Sequence, residues 1–401
     1  MYDHNVFKAF NSLKQYCESE GYIGWDPYDG LNSKVFQATP LRCSRFARLA
    51  FIQVIKRSPV NFRNLLMIPK GYNSKGIALF LTGYCNLYQL AQRGERRFGS
   101  TQELSSRIEQ LADLLCNLRS NNYSGACWGY NFDWQSKAFF LPKHTPTVVA
   151  TSFAVEALLN AFEITKNNKY LVTAVSAADF VLKDLNKINK PGGLFMFSYS
   201  PLDKQAVYNA SLLGTKILSQ IYKYTKDELL KEAAYKSALA VVNNQNSDGS
   251  FPHSDQVGQA WRDSFHTGFK LEALMTYQKL CNDICFQKNI EDGFNYWLDN
   301  YFDQETGYSF YYDRDMKKDL VDLHCASQAI VTFCKLDKSE KYQLLNQKIC
   351  QWTIDNMQSK EGYFYFQKNR NRFNKIPYMR WPNAWMFYGI SFGLLEGNKG
   401  D

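Results

Sequence analysis

The feature that most constrains the fold is a unit of about 60 residues that recurs along the chain. Each unit contains an amphipathic helical pattern, a loop with glycine and aromatic residues, a polar cluster and a strongly apolar helical pattern. The apolar patterns begin near Pro146, Tyr208, Asp263, Asp322 and Trp381. This spacing accommodates two helices of about 15 residues each and their connections. The repeat therefore predicts a series of helical hairpins.

The loops that precede the apolar patterns also share a sequence. Each has a glycine followed by aromatic residues, and glycine supplies the positive φ that ends a helix or makes a turn. Alternating aromatic residues indicate a short strand or an extended arm. The five loops are 129–132, 193–197, 249–251, 307–310 and 362–366.

Two classes of helix alternate. The apolar ones are hydrophobic on most sides, as in 148–159, and such helices are buried. The amphipathic ones carry charged residues at helical spacing and face solvent on one side. They are predicted near 102–119, 168–186, 226–243, 285–301 and 340–357. A further apolar helix is predicted to open near Gly76, which brings the number of units to about six.

This alternation predicts an all-α fold, an (α/α)6 toroid of about six helical hairpins with short β-like arms in its loops. The apolar helices form the inner ring, the amphipathic helices wrap it, and residues 1–401 make one domain. An open solenoid would show the same alternation. Closure is preferred because there are about six units and the capping repeats of a solenoid are not evident.

In a closed ring, the loops that enter the inner helices gather at one end and surround one cavity. Four of the five histidines lie in these entry segments, namely His144, His253, His266 and His324. Carboxylates and imidazoles exchange protons, and arginine binds anionic groups. The predicted catalytic residues are therefore Asp263, Asp322, His266, His324 and Arg380.

The same segments are rich in aromatic, amide and carboxylate side chains, which together are typical of a carbohydrate site. The predicted substrate-binding residues are Trp128, Tyr130, Asp133, Trp134, His144, Tyr208, Asn209, Trp261, Tyr378, Trp381, Asn383, Asp26, Tyr28 and Asn32. Several of the predicted site residues have a structural alternative. Asp263 and Asp322 are also good helix N-caps, His266 lies three residues after Asp263 on one helical face, and the tryptophans are equally suited to the core.

The composition excludes several classes of function. The net charge of +9 is spread along the chain, which argues against a nucleic-acid partner. It indicates either a solvated surface or attraction for an acidic glycan. The N-terminus lacks the apolar segment of a secretory signal, and no run reaches the roughly 18 apolar residues of a membrane span. The ten cysteines are scattered, as is typical of reduced thiols in the cytoplasm.

The motifs resemble those of the six-hairpin toroid superfamily, which includes glycoside hydrolases, polysaccharide lyases and sugar epimerases. Segments 26–32, 128–134, 263–269 and 378–385 are most similar to a bacterial group associated with surface-polysaccharide biosynthesis. The resemblance implies a partner that is an oligo- or polysaccharide, acidic in one alternative, and a place peripheral to a polysaccharide-synthesis complex. We expect no cofactor and no metal.

Three functions follow as hypotheses. The first is glycosidic-bond hydrolysis, in which Asp263 and Asp322 serve as the two carboxylates that such chemistry requires. The second is a lyase or uronate C5-epimerase that uses histidine, tyrosine, asparagine and arginine side chains. The third is a non-catalytic glycan-binding component of polysaccharide synthesis, because a fold alone does not determine a function.

Overall fold

The computed structural model describes residues 4–137, 139–256, 258–313, 319–336 and 340–397. Six apolar helices form an inner ring in which each contacts the next and the last contacts the first. They are α4 (Ser74–Gln92), α6 (Val148–Thr165), α8 (Tyr208–Thr225), α10 (Ser264–Cys281), α12 (Leu323–Leu336) and α14 (Ala384–Gly397). The ring is closed, so the predicted (α/α)6 toroid is confirmed and the open solenoid is wrong.

Six further helices pack outside this ring. They are α1 (His4–Ser19), α5 (Thr101–Asn117), α7 (Asn168–Asp179), α9 (Glu228–Val242), α11 (Gln287–Tyr301) and α13 (Glu340–Met357). Five of them begin and end close to the amphipathic segments predicted from the sequence. The helix α1 was not predicted, and it supplies the sixth outer position by packing on α13 and α14.

Several inner helices begin at the same end of the ring with side-chain caps. Asn73, Thr147 and Asp263 each accept a hydrogen bond from a backbone N–H group in the first turn of α4, α6 and α10, respectively. Such caps satisfy donors that a helix leaves unpaired at its N-terminus. The helix α6 is long and apolar enough to cross a membrane, but 72% of it is buried inside the ring. We interpret it as a core helix.

Short strands and two small helices complete the described chain. The strands are β1 (Trp134–Gln135), β2 (Phe140–Leu141), β3 (Lys187–Lys190), β4 (Leu194–Phe197), β5 (Leu320–Asp322), β6 (Gln367–Asn369) and β7 (Arg372–Asn374). They pair as the antiparallel hairpins β1–β2 and β3–β4 and as the sheet β5–β6–β7. The small helices α2 (Lys34–Gln37) and α3 (Arg45–Arg57) lie between α1 and the first inner helix.

The middle of the inner ring holds a buried ionic cluster. Lys216 on α8 contacts Glu156 Oε2 at 2.9 Å and Glu272 Oε1 at 2.6 Å. Lys335 on α12 contacts the same two carboxylates, at 3.0 and 2.6 Å. The four residues come from four different inner helices and therefore tie the ring together away from its open end.

Candidate active site

A cavity of about 500 Å³ opens where the inner helices begin. Each of the six inner-helix entries contributes to its wall, through Lys75, Val149, Asn209, His266, His324 and Arg380. Each of these residues lies in the first turn of its inner helix or in the segment immediately before it. This is the geometry expected of a closed ring, in which distant parts of the sequence meet at one end.

His266 and Asp263 form a hydrogen-bonded pair at the start of α10. His266 Nδ1 donates to Asp263 Oδ2 at 2.7 Å, while the other carboxylate oxygen caps the helix by accepting from the His266 backbone N–H at 2.8 Å. The Asp263 side chain is fully buried, whereas 18% of the His266 side chain is exposed. Asp263 therefore fixes the tautomer and orientation of the imidazole and leaves Nε2 free for a ligand.

His324 is buried among aromatic rings and has no hydrogen-bond partner on either ring nitrogen. Its ring centroid lies 4.1 Å from that of Phe265 and 3.9 Å from that of Trp385. Burial, with the nearby positive charge of Lys75, lowers the pKa of His324 well below its usual value. The ring is therefore neutral and offers both a donor and an acceptor to the cavity.

Two more polar groups in the wall have atoms without a partner. Asn209 is buried at the start of α8, and its Oδ1 makes no hydrogen bond. His253 stacks on Trp261 with centroids 4.0 Å apart, and its Nδ1 is also unpaired. Burial lowers the pKa of His253 to about 2, so this ring is neutral as well. Unpaired buried polar atoms cost free energy, and several in one wall indicate a site prepared for a polar ligand.

Arg380 is held in the wall by a buried carboxylate. Its Nε and Nη2 donate to Asp26 Oδ2 at 2.5 Å and Oδ1 at 2.8 Å, and both side chains are 4% exposed. The guanidinium also lies over the ring of Trp381, 4.7 Å from its centroid. Asp26 therefore keeps Arg380 charged and in place, and it does so from behind the cavity wall.

Lys75 is the other buried cation in the wall. Its Nζ lies 4.4 Å from the ring centroid of Phe153 and 4.9 Å from that of Trp385. Burial, together with the positive charge of Arg380, lowers the pKa of Lys75 well below its usual value. The neutral form of this amine is therefore more favoured than that of an ordinary lysine.

Asp322 lies behind the wall with both carboxylate oxygens hydrogen bonded. Oδ1 accepts from Trp381 Nε1 at 2.7 Å and from the His324 backbone N–H at 3.0 Å. Oδ2 accepts from Gln367 Nε2 at 2.6 Å. Burial raises the pKa of Asp322, and these hydrogen bonds oppose that effect. Asp322 positions Trp381 and the start of α12.

The rest of the wall is mainly aromatic. Trp134 lies 5.9 Å from Tyr199, and Tyr28 lies 5.5 Å from Trp381, measured between ring centroids. Phenol and indole rings present an apolar face together with a polar group, which suits the faces and hydroxyl groups of a sugar ring. The volume lies within the range of pockets for small ligands.

Part of the chain matches a family of known sequences, and its fold matches solved structures. The family model Glycosyl Hydrolase Family 88 matches residues 150–321, which is less than half of the chain. A comparison with curated protein sequences gives no match.

Three solved structures illustrate the likeness in fold. They are a GH76 alpha-mannanase of Bacteroides thetaiotaomicron (17% identity, TM-score 0.60, 80% of this chain and 86% of that chain), a cellobiose 2-epimerase from Bacillus thermoamylovorans (13%, 0.59, 81% and 87%) and an unsaturated glucuronyl hydrolase from Streptococcus agalactiae (11%, 0.59, 100% and 93%). The protein is a six-hairpin (α/α)6 toroid. The likeness in fold to the six-hairpin toroids, predicted from the motifs, is thereby confirmed.

The toroid brings nine of the predicted site residues to the cavity wall. They are His266, His324, Arg380, Tyr28, Tyr130, Trp134, Asn209, Trp261 and Trp381. The catalytic roles assigned to three of them stay predictions. All of them except Tyr28 lie at an inner-helix entry, or in or just after the glycine-aromatic arm that precedes one.

The predicted carboxylate pair does not line the cavity. Asp263 and Asp322 are each about 1% exposed, and their oxygens are used by His266, Trp381, Gln367 and helix caps. The capping role that was the structural alternative is therefore present for both. The pair does not present two free carboxylates to a substrate, as the inverting mechanism in its simple form requires.

Eight predicted binding residues also lie outside the wall. Trp128 is core and donates from Nε1 to the Leu115 carbonyl at 2.8 Å, and Tyr208 is buried beneath the start of α8. His144 is exposed, and Asp133 accepts from the Lys143 N–H. The remaining four, Asp26, Asn32, Tyr378 and Asn383, support the wall from behind. A single sequence does not distinguish a side chain that faces the cavity from one that packs behind its wall.

Other wall residues were missed as site residues. They include Lys75, Tyr199, His253, Phe265, Phe269 and Tyr311. A signal for two of them was present, because Tyr199 and His253 each lie two residues after the last aromatic residue of a glycine-aromatic arm. Trp134 has the same relation to its arm. Lys75 carried no signal, since a lysine before an apolar helix is ordinarily solvent exposed.

Proposed function

We propose that the protein is a carbohydrate-active enzyme that binds an oligo- or polysaccharide in this cavity and hydrolyses a glycosidic bond. The observation that carries the proposal is the cavity wall, in which aromatic rings surround the unpaired polar atoms of His324, His253 and Asn209. The partial match to a glycoside hydrolase family supports hydrolysis as the reaction.

Within this proposal, His266 takes a proton from the attacking water and returns a proton to the leaving-group oxygen, and Asp263 is its positioning residue. The pair resembles the carboxylate–imidazole arrangement that activates water or another nucleophile, because the carboxylate stabilises the imidazolium that forms. Direct use of Asp322 would require it to give up the hydrogen bonds from Trp381 and Gln367. We therefore assign Asp322 to positioning as well.

Epimerisation is the second candidate, and one observation favours it. No carboxylate is found among the described residues that line the cavity, whereas imidazoles project from the neighbouring helices α10 and α12. Phe265 separates them, with its ring 4.0 Å from His266 and 4.1 Å from His324. A neutral imidazole and one backed by a carboxylate are suited to removing and returning a proton at a sugar carbon.

We also propose that the natural substrate is an acidic bacterial polysaccharide. The charge of Arg380 is balanced by Asp26, but the exposed Lys137 gives the mouth of the cavity a positive charge, which supports an acidic sugar. The motif resemblance supports a bacterial surface or capsular polysaccharide. All ten cysteines are free thiols, which supports a place in the cytoplasm.

The test is a screen of the purified protein against neutral, amino-sugar and uronate-containing glycans in D2O. New reducing ends report hydrolysis, deuterium at a ring carbon without cleavage reports epimerisation, and absorbance of an unsaturated uronate reports a lyase. His144→Gln is the matched control for His266→Gln, because His144 is an exposed histidine outside the cavity. Reducing ends that disappear only in His266→Gln would support the proposal. Deuterium exchange alone would replace it with the second candidate.

A further inference from the structure

The segment between α1 and the first inner helix has an unusual charge. Residues 30–94 contain no aspartate or glutamate, and residues 34–70 contain eight lysines and arginines. Lys34, Arg42 and Arg57 are exposed, and within the described ranges no carboxylate forms an ion pair with any of them. Arg63 and Lys70 are paired with Asp29 and Glu20, but the other cations give this part of the surface a net positive charge.

The same segment exposes apolar side chains. Thirteen large hydrophobic residues of the described chain are exposed, and eight of them lie here. They are Val35, Leu41, Phe46, Val54, Val60, Phe62, Leu65 and Met67. Phe46 is 81% exposed and Leu65 is 76% exposed. Single exposed hydrophobic residues are ordinary, but a concentration of this kind marks an interaction surface.

The helix α3 organises this surface. Ile52 and Ile55 on its inner face are buried against the body of the protein. Phe46, Ala50 and Val54, spaced four residues apart, lie on the opposite face, with Arg57 beside them. The helix is therefore amphipathic in an unusual sense, because its outward face is both apolar and basic. We call α3 and the exposed residues of 34–70 the docking surface.

We propose that the docking surface binds a lipid bilayer that contains anionic phospholipids. Apolar side chains enter the boundary between headgroups and acyl chains, and lysine and arginine attract the anionic headgroups. The combination of unpaired cations with exposed Phe46, Leu65 and Met67 matches both requirements within one segment of the chain. An acidic soluble partner would match the charge but would leave these large apolar side chains without a complementary surface.

The docking surface adjoins the mouth of the cavity. The Arg45 guanidinium donates to the Lys137 carbonyl, and Arg48 Nε donates to Gln135 Oε1 at 3.0 Å. Lys137 and Phe139, in the same β1–β2 hairpin, line the cavity. Resting on the proposed function, this proximity implies that the enzyme acts on a glycan attached to a membrane lipid. Binding to the bilayer itself is independent of that function.

The test is cosedimentation of the full chain with vesicles of phosphatidylcholine alone or of equal parts phosphatidylcholine and phosphatidylglycerol. We expect binding to the mixed vesicles that weakens as salt is added. Arg42→Glu with Arg57→Glu should weaken binding at least about tenfold, given roughly a fivefold effect for each surface cation. Phe46→Ser with Leu65→Ser should weaken it by about tenfold or more, because two large side chains lose their burial in the bilayer.

Matched controls lie elsewhere on the surface. Lys226→Glu with Lys288→Glu changes the net charge equally, and Val172→Ser with Leu229→Ser removes exposed apolar side chains from outer helices. These variants should bind as the wild type does. Absence of vesicle binding, or equal loss in the controls, would overturn the proposal. So would a dimer in sedimentation velocity that Phe46→Ser with Leu65→Ser dissociates, since a second copy would then cover the surface. No glycan is needed, so this outcome is separate from that of the activity screen.

Discussion

Replacing His266 by glutamine is expected to lower turnover of the glycan by about a hundredfold to ten-thousandfold, the range typical of a lost general acid–base group. The imidazole lines the cavity and is oriented by a buried carboxylate 2.7 Å away. Glutamine is polar and similar in length, so the fold should be retained. Turnover and unfolding temperature of the purified variant are to be measured together.

Asp263→Asn separates positioning from capping. Asparagine caps a helix about as well as aspartate, so the start of α10 should be preserved. The amide does not stabilise an imidazolium, and we expect kcat to fall and its pH profile to change while the unfolding temperature is nearly constant. The exposed His144→Gln should match the wild type in all three readouts. Full activity in His266→Gln would contradict the assignment.

Lys216→Met is expected to destabilise the protein by about 3–5 kcal/mol, which is the typical cost of breaking a buried ion pair. The side chain is 3% exposed and contacts both Glu156 and Glu272, which are also buried. Removing the cation leaves two carboxylates to share Lys335. Denaturant unfolding measures the loss. Lys223→Met on the same helix is the control, because its pair with Glu163 is exposed and should contribute at most about 1 kcal/mol.

The same cluster predicts a pH dependence. Burial raises the pKa of Glu272, but Lys216 and Lys335 outweigh it, so the folded-state pKa lies below the ordinary value of 4.5. A depressed carboxylate pKa means that the stabilisation is present above about pH 4.5 and is lost as the pH falls below it. The wild type should therefore lose more stability than Lys216→Met between about pH 5 and pH 3. Parallel slopes for the two proteins would show that the cluster does not couple to protons.

The ring could be predicted from sequence because each unit carries its own signals. Glycine-aromatic loops, caps such as Asp263 and apolar runs such as 148–159 are local features, and their recurrence predicts helical hairpins without any knowledge of distant contacts. The number of units, about six, and the lack of evident capping repeats then favour closure over an open solenoid. The helix α1 was missed because it lies before the first recognisable unit. It completes the ring only through packing on α13 and α14.

The site was predicted only in part, for a physical reason. Sequence places Asp322 and His324 at one helix entry and Trp381 at the next, but it does not say that Trp381 and Gln367 donate hydrogen bonds to the carboxylate while the imidazole stays unpaired. The Gln367 bond depends on the pairing of strands β5 and β6, which joins residues 45 positions apart. The positioning role of the two aspartates, with the two histidines facing the cavity, therefore emerges only in three dimensions.

The central claim is that the cavity wall leaves polar atoms unpaired in order to bind a sugar, and His324→Phe tests it most directly. Phenylalanine fits the slot between Phe265 and Trp385 and removes two buried nitrogens that lack partners. Replacing an unsatisfied polar group by an apolar one of similar shape is neutral or stabilising. We therefore predict an unchanged or higher unfolding temperature together with a loss of glycan affinity of about tenfold or more. A lower unfolding temperature with glycan affinity intact would contradict the account.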